Sequence, residues 1–314
     1  MAVETPPAPA RARLREVSTT TFRRVAVASA VSLYAIIVSG AAVRLTSSGL
    51  GCEGWPGCEP GAFFPASDHH SWIEFGNRVV AIFPLTLTLA AWLVAWRSGV
   101  AERWVTWVAG LTFLGTVAQA PLGLLTIRSG LHPLMVMTHF LLALVVLATG
   151  IVVAVEAWNA DRGRAAPLVP AAARRASLVL VAACAALVVT GAFATAAGPH
   201  PGDSAEVRRM GNLLEAMWVH VRATAVYGLV LAGLVGYLVA RRSRAPRLLW
   251  PAGALLGLLA AQMVVGEVQW RTQLPWALVL VHVSLAAAVW GATVLLAAVL
   301  WRPPAALGVR PDVD

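Results

Sequence analysis

Three histidines lie inside long apolar stretches of the chain, where an ionisable side chain is costly and is therefore a functional candidate. They are His139, His220 and His282, and each lies near the same end of its stretch. His220 and His282 belong to the second and fourth stretches of one half of the chain, at similar depth. Two imidazoles on opposing helices suit a six-coordinate haem iron, and two buried histidines that hydrogen-bond across the helices are the alternative.

The other half breaks this pattern, because Asn77 stands where the spacing predicts a partner for His139. An amide is a poor iron ligand, so a haem in this half has one protein ligand and an open face, unless another group binds the iron. An open face suits a haem that is a substrate, whereas an electron carrier does not need one. His69 or His70 in the preceding loop could supply the missing ligand, and loss of the haem from this half is the alternative.

Glu74 lies three residues before Asn77, so the two side chains share a helix face one turn apart. At the outer mouth of this half, a carboxylate could accept a proton or stabilise a developing cation on a substrate. An ordinary interfacial ion pair with Arg78 is the other interpretation. Met217 occupies the position of Glu74 in the second half, so the first half has catalytic character and the second resembles a carrier.

Cys52 and Cys58 are separated by five residues that include two glycines and a proline, a spacing that allows a disulfide. The segment lies in a predicted outer loop, where the compartment permits oxidation. A structural crosslink and a redox-active pair both fit this placement. Cys184, inside an apolar stretch, is predicted to be a small core residue.

Several arginines lie at the outer ends of apolar stretches, and Arg128 and Arg271 occupy corresponding positions of the two halves. Together with Arg78 and Arg222 they are candidates for binding the carboxylates of a haem, because a guanidinium binds a carboxylate through two parallel hydrogen bonds. Extension of the side chain to lipid phosphate is the alternative for each.

The elements that must position these side chains are membrane-spanning helices. Hydrophobic residues make up 59% of the 314 residues, charged residues make up 12%, and the mean hydropathy is +0.74. This composition excludes a soluble globular or disordered chain, since soluble domains carry about a quarter charged residues. Eight apolar stretches can cross about 30 Å of hydrocarbon, and each must be helical because its backbone finds no water there. They lie near residues 24–43, 73–97, 104–127, 133–156, 175–197, 215–240, 247–268 and 276–301.

The net charge of +9 and pI of about 11.0 come from 24 arginines and no lysine. Nucleic-acid binding is excluded as the meaning of this charge, because the arginines cluster in short segments between apolar stretches. Most fall on one side, which the positive-inside rule makes cytoplasmic, with both termini on that side. The other side has Arg44, Arg78, Arg128, Arg208, Arg209, Arg222 and Arg271.

An internal repeat organises the chain, because a shift of 143 residues superimposes chemically matched positions. The matched pairs are Gly110 and Gly253, Gln119 and Gln262, Gly123 and Gly266, Arg128 and Arg271, His139 and His282, and Asn77 and His220. The glutamines and glycines are predicted to mark close helix packing. The fold class is therefore an all-α integral membrane protein with two parallel, pseudo-symmetric four-helix bundles. We expect an N-terminal tail at 1–23, bundles at 24–158 and 175–302, a linker at 159–174 and a tail at 303–314.

The combined motifs resemble the haem A synthase family over roughly residues 25–300. The resemblance rests on Gly49-Leu50-Gly51-Cys52, Trp55-Pro56, Cys58 and Trp72-Ile73-Glu74-Phe75, together with His139, His220 and His282. The family oxidises the methyl group at position 8 of haem O to the formyl group of haem A by successive hydroxylations. In one respect this chain departs from the family, whose common Glu-x-x-His pattern is here Glu74-Phe-Gly-Asn77.

The resemblance implies a role for each site residue. The second half would hold haem b between His220 and His282 as an electron relay, and the first would hold haem O, with His139 on the iron and Glu74 as the catalytic carboxylate. Cys52 and Cys58 would react with a thiol-disulfide oxidoreductase. Other implied partners are a haem O synthase that delivers the substrate, an unidentified electron donor and membrane lipid. The implied location is a bacterial plasma membrane.

Two other functional classes share the same helices and histidines. A b-type membrane cytochrome would pass electrons from quinol without modifying a haem, and Glu74 and Asn77 argue against it, because a carrier needs no carboxylate beside an open iron. A haem transporter or chaperone is the third class. Only the enzyme yields a haem that carries a formyl group.

Overall fold

The computed structural model describes residues 18–65, 68–99, 101–203, 209–242 and 246–308. Arg208 and most of the predicted tails at 1–23 and 303–314 lie outside these ranges. The described residues form nine α-helices. They are α1 (Thr19–Leu45), α2 (His69–Val80), α3 (Ile82–Ser98), α4 (Arg103–Arg128), α5 (Pro133–Arg162), α6 (Ala171–Ala197), α7 (Leu213–Ala240), α8 (Leu249–Arg271) and α9 (Trp276–Trp301).

Eight spans in these helices are long and apolar enough to cross a membrane, which confirms the predicted number. Their outward faces carry large apolar side chains that a soluble protein would bury, such as Trp107, Leu229 and Trp250, which are 73%, 74% and 80% exposed. Such faces are stable against lipid tails, where only helices with internally bonded backbones can span. The chain is therefore a multi-pass helical membrane protein.

The second span is divided, whereas the sequence predicted one uninterrupted helix at 73–97. α2 ends at Val80 and α3 begins at Ile82. Pro84 explains the break, because it has no N–H to donate to the carbonyl of Val80, four residues earlier, and its ring crowds that carbonyl. The result places Glu74 and Asn77 on a short helix of their own, separated from the body of the span.

Several helices extend beyond their predicted ends. α1 begins at Thr19 because the Ser18 side chain accepts a hydrogen bond from the Thr21 N–H. α5 continues to Arg162, and Asp161 near its end accepts hydrogen bonds from Thr19 and Thr20. α6 begins at Ala171, so the residues predicted as the linker at 159–174 are helical at both ends.

Each half of the chain closes into a ring of neighbouring helices. In the first half α1 packs on α3 and α5, and α4 packs on the same two helices. In the second half α6 packs on α7 and α9, and α8 lies between α7 and α9. The halves meet where α9 packs on α1 and α5 and where α5 contacts α6. Hydrogen bonds cross this contact from the Trp290 indole to the Leu144 carbonyl and from the Tyr34 hydroxyl to the Ser284 carbonyl, at 2.8 and 3.2 Å.

Candidate functional site

His220 on α7 and His282 on α9 face each other, with ring centroids 6.4 Å apart and ring planes at 73°. A metal between two imidazoles needs two metal–nitrogen bonds of about 2 Å and the inner half of each ring, which together span about 6 Å. The separation of the rings therefore matches a shared metal. It exceeds the separation of two imidazoles joined by a direct hydrogen bond, so the two predicted histidines face each other without bonding.

Thr190 on α6 contacts the ring of His220. Its hydroxyl donates to the Leu187 carbonyl at 2.9 Å, and its oxygen lies 3.2 Å from His220 Nδ1, where it can accept a hydrogen bond from that nitrogen. This contact suits the tautomer that carries its hydrogen on Nδ1 and keeps a lone pair on Nε2. A hydrogen bond of this kind to the far ring nitrogen is the usual way in which proteins orient a metal-bound histidine.

Two glycines make room for the paired imidazoles. A Cβ atom on Gly191 would lie 3.0 Å from His220 Cε1, and one on Gly266 would lie 3.0 Å from His282 Cε1. Either contact is too close for a residue larger than glycine without moving the ring. The duplicated glycine at 266, predicted to mark helix packing, therefore serves to seat an imidazole.

His282 keeps a buried ring nitrogen without a partner. The Gln262 amide lies 3.1 Å from Nε2 of His282, whereas Nδ1 is buried and has no hydrogen bond among the described residues. A buried polar atom is almost always bonded, so an orphaned imidazole nitrogen indicates a site for an additional group. Together with the ring separation and the glycine cradles, these features fit an iron-centred group.

His139 on α5 lies in the same surroundings in the first half. A Cβ on Gly123 would lie 3.5 Å from His139 Cε1, and the Gln119 side chain donates to the His139 carbonyl at 3.4 Å. Nδ1 of His139 is buried and has no partner among the described residues. The duplicated glutamine and glycine of the repeat therefore both contact a histidine, and His139 retains a nitrogen for a ligand.

Asn77 on α2 is held by a hydroxyl on α1, as His220 is held by one on α6. Ser39 Oγ donates to Asn77 Oδ1 at 2.7 Å. A shift of 151 residues superimposes Val38-Ser39-Gly40 on Val189-Thr190-Gly191. Ser39 and Thr190 thus occupy matching positions, and each contacts the residue at the duplicated position 77 or 220. Asn77 therefore stands at the position that His220 occupies in the second half and has a matching hydroxyl partner.

Glu74 is 5% exposed and both of its oxygens are bonded. Oε1 pairs with Arg78 Nη2 at 2.6 Å, and Oε2 accepts from the Cys52 N–H at 2.9 Å. The ion pair that the sequence offered as the alternative for Glu74 is therefore present. A carboxylate held by two fixed donors has a defined position, which is also what a catalytic carboxylate requires.

Cys52 and Cys58 form a disulfide. Arg78 binds the loop that the disulfide closes, because its Nη1 donates to the carbonyls of Gly54, Pro56 and Gly57 at 2.8, 3.3 and 2.6 Å. The Cys52 N–H also donates to Glu74, and the Ser71 hydroxyl of α2 donates to the Gly51 carbonyl of the loop. The disulfide loop, residues 51–58, therefore lies directly on the helix turn that carries Glu74 and Arg78.

The remaining predicted residues lie at the surface or make other contacts. Arg271 pairs with Glu267 at 2.5 Å, and both side chains are mostly exposed. Arg128 is exposed at the end of α4. His69 and His70 are the first residues of α2, where the sequence predicted a loop; His69 is exposed, and Nδ1 of His70 lies 2.9 Å from Ser48 Oγ.

Sequence reasoning missed the hydroxyls of Ser39 and Thr190 and the glycine at 191, and it gave Gln119 and Gln262 a packing role. The duplicated Val-Ser/Thr-Gly segments were a usable signal. They follow a shift of 151 residues, which differs from the 143 of the other repeats because the connections after α1 and α6 differ in length.

The described helices define a multi-pass helical membrane protein that carries buried or half-buried imidazoles in corresponding positions of its two halves. A sequence model of the COX15-CtaA family, cytochrome oxidase assembly protein, matches residues 23–294. The chain belongs to this family.

Curated relatives match the chain over shorter segments. A haem A synthase of Bacillus licheniformis is 29% identical over 132 residues, which cover 42% of this chain and 43% of the relative. A haem A synthase of Bacillus pumilus is 30% identical over 129 residues, 40% of this chain and 42% of the relative. A haem A synthase of Shewanella oneidensis is 29% identical over 123 residues, which cover 34% of this chain and 36% of the relative. Each matched segment spans less than half the length of the relative.

Proposed function

We propose that this protein is a haem A synthase, which oxidises the C8 methyl group of haem O to a formyl group by successive hydroxylations. The observation that supports this function above others is an unequal pair of sites in a chain of this family: two imidazoles in one half, and one imidazole with a buried carboxylate in the other. A pure electron carrier has no use for the second arrangement.

In this proposal His220 and His282 hold haem b, which supplies one-electron transfer when bound. The ring separation of 6.4 Å and the lone pair that Thr190 leaves on His220 support this assignment. Six-coordination by two imidazoles suits electron transfer, because it leaves no position for substrate.

His139 binds the iron of the substrate, haem O, and Glu74 is the catalytic carboxylate. Glu74 lies on the same helix face as Asn77 and is fixed by Arg78 and the Cys52 N–H. Its negative charge stabilises positive charge that develops on the substrate during oxidation, or it accepts the proton released there. The disulfide loop covers this part of α2 and holds Glu74 in place.

The haem propionates are assigned to arginines at the outer helix ends. Arg128 is exposed and Arg271 would exchange its exposed partner Glu267 for a propionate. Arg78, the third residue assigned to this role, already donates to three loop carbonyls and to Glu74. It would therefore affect propionate binding indirectly, by fixing the position of α2.

The two halves, residues 24–158 and 175–302, are the substrate half and the carrier half. The arginine-rich side faces the cytoplasm of a bacterium and the sites lie toward the outside of its plasma membrane. Haem O arrives from a haem O synthase, and a thiol-disulfide oxidoreductase acts on Cys52 and Cys58. The electron donor is a further partner.

The test is to purify the protein from cells that make haem O and to identify the extracted haems by chromatography and mass spectrometry. Haem A, or its hydroxymethyl precursor, together with haem B supports the enzyme and both sites. Haem B alone, with haem O available, supports a b-type cytochrome that transfers electrons from quinol and contradicts the proposal.

Glu74→Gln is expected to keep both haems bound and to lower haem A formation by about 100-fold or more, because the carboxylate charge is lost while the side-chain shape remains. Glu267→Gln is the matched control, since Glu267 also pairs with an arginine four residues later but is exposed. Haem A formation by Glu74→Gln at the rate of this control would remove the catalytic role.

A further inference from the structure

We propose that the first half contains a preformed pocket for a diatomic ligand such as dioxygen, formed by Ser39, Gly40 and Asn77. The pocket occupies the place that the His220 imidazole fills in the second half. This inference rests on the proposed function, in which His139 holds haem O. The repeat pairs Asn77 with His220 and His139 with His282, and since His220 faces His282, it assigns Asn77 to the side of the haem opposite His139.

Gly40 borders this pocket, and it corresponds to Gly191, which borders the imidazole of His220 in the second half. In the second half, His220 Cε1 lies 3.0 Å from the Cβ position of Gly191. Gly40 is the matching residue, and outside its own helix backbone and chain neighbours no described atom lies within 4 Å of its Cβ position. The glycine that admits a ring in the second half therefore borders free space in the first.

The size of the space follows from the side chain that replaces the imidazole. Beyond Cβ, a histidine side chain has five heavy atoms and an asparagine side chain has three, so the exchange at position 77 frees the volume of about two heavy atoms. A diatomic molecule has this size.

The polarity of the space follows from the hydrogen bond of Asn77. Ser39 occupies Oδ1 of Asn77 at 2.7 Å, and Nδ2 donates to none of the described residues. The bond to Ser39 fixes the amide plane, so the N–H groups of Asn77 remain as donors of defined direction. A donor at the open side of a haem is one of the features that decide whether oxygen binds there. Ser39 is thus a positioning residue and Asn77 the ligand donor.

The experiment measures the infrared C–O stretching band of carbon monoxide added to the reduced, haem O-loaded protein. We expect a single band that moves to higher frequency in Asn77→Leu, because an N–H donor beside the ligand oxygen weakens the C–O bond. Ser39→Ala should broaden the band and shift it part of the way. Thr138→Val, which removes a hydroxyl bonded only within α5 beside His139, should leave the band unchanged.

Asn77→His provides an independent readout. It should remove carbon monoxide binding and add a second low-spin signal of a bis-imidazole haem in electron paramagnetic resonance, because Ser39 and Gly40 retain the seat for the ring. The pocket proposal is wrong if the frequency of the band is the same in Asn77→Leu as in wild type and carbon monoxide still binds to Asn77→His. That result leaves the haem A synthase proposal intact. A wild-type protein that binds haem only in the second half overturns both. Loss of haem A formation with a band that still responds to Asn77→Leu overturns the enzyme but supports the pocket.

Discussion

Single residues make the two halves chemically different while their surroundings stay alike. A hydroxyl from the first helix of each half contacts position 77 or 220, through Ser39 or Thr190. The Ser39 hydroxyl donates to Oδ1 of Asn77, whereas the Thr190 oxygen is placed to accept a hydrogen bond from Nδ1 of His220. In the proposed function, the same contact therefore orients a metal ligand in one half and a hydrogen-bond donor in the other.

Thr190→Val tests the contact in the second half, which the proposed function assigns to haem b. Without the hydroxyl, Nδ1–H of His220 loses its acceptor, the imidazole becomes a weaker base, and we expect haem b retention to fall about 10-fold with a rise in the reduction potential. The measurements are haem content after purification and a spectroscopic redox titration. Thr195→Val is the control, because its hydroxyl bonds only to the Gly191 carbonyl of its own helix. Equal potentials in both variants would contradict the role of Thr190.

At the scale of elements, the disulfide loop and α2 form one unit. The Arg78 guanidinium reaches three loop carbonyls and the Glu74 carboxylate at the same time, and the Cys52 N–H returns a bond to Glu74. Five planar donors allow this, whereas an ammonium group is a single point of charge. The position of the carboxylate therefore depends on the loop, and the loop depends on the arginine.

Arg78→Lys is expected to loosen the loop without removing the charge beside Glu74. One ammonium cannot bond three carbonyls and a carboxylate together, so the disulfide becomes more accessible to a reductant. The rate of Cys52 and Cys58 alkylation in the presence of dithiothreitol should rise several-fold. Arg128→Lys, a surface change at the end of α4, should leave this rate unchanged. Equal rates in the two variants would show that Arg78 does not hold the loop.

At the scale of the whole molecule, Arg302 joins the end of the second half to the first. It pairs with the buried Glu156 of α5 at 2.6 Å and with Glu102 before α4, and its carbonyl accepts from the Asn159 side chain at 3.0 Å. On the opposite side Arg44 of α1 donates to the carbonyls of His200 and Thr195, each at 3.0 Å. The halves are thus connected at both membrane faces.

Arg302→Gln is expected to destabilise the protein by about 3 kcal/mol, because Glu156 remains buried without its counter-charge. The measurement is thermal or denaturant unfolding in detergent. Arg241→Gln is the control, since Arg241 is exposed and lies over the Tyr237 ring. A loss no larger than in Arg241→Gln would contradict the role of this contact.

The pH dependence of the same contact follows from Glu102. The Trp104 indole N–H and the Arg302 guanidinium hold the pKa of Glu102 below its ordinary value of 4.5. The contribution of ionised Glu102 to the free energy of unfolding is therefore complete above pH 4.5, and it is lost as the pH falls through the lowered pKa. We expect wild type to lose stability in that acidic range more steeply than Glu102→Gln.

The sequence by itself determined the elements and most of the chemistry-bearing side chains. A bilayer core of about 30 Å requires long apolar helices, so the positions and lengths of the apolar stretches predict eight spans. The cost of histidine in an apolar stretch singled out His139, His220 and His282, and the repeat paired positions 77 and 220. The break between α2 and α3 was also readable from Pro84, and was missed because the apolar stretch continues through it.

Only the tertiary structure decided which side chains touch. The contacts of Ser39 and Thr190 depend on which faces of α1 and α6 meet α2 and α7, and helices that are apolar on all sides leave those faces undetermined in the sequence. Arg78 was equally undetermined, because its long side chain reaches a propionate, lipid phosphate or backbone carbonyls equally well. The fold places the disulfide loop within its reach, and its donors bond to the carbonyls of that loop.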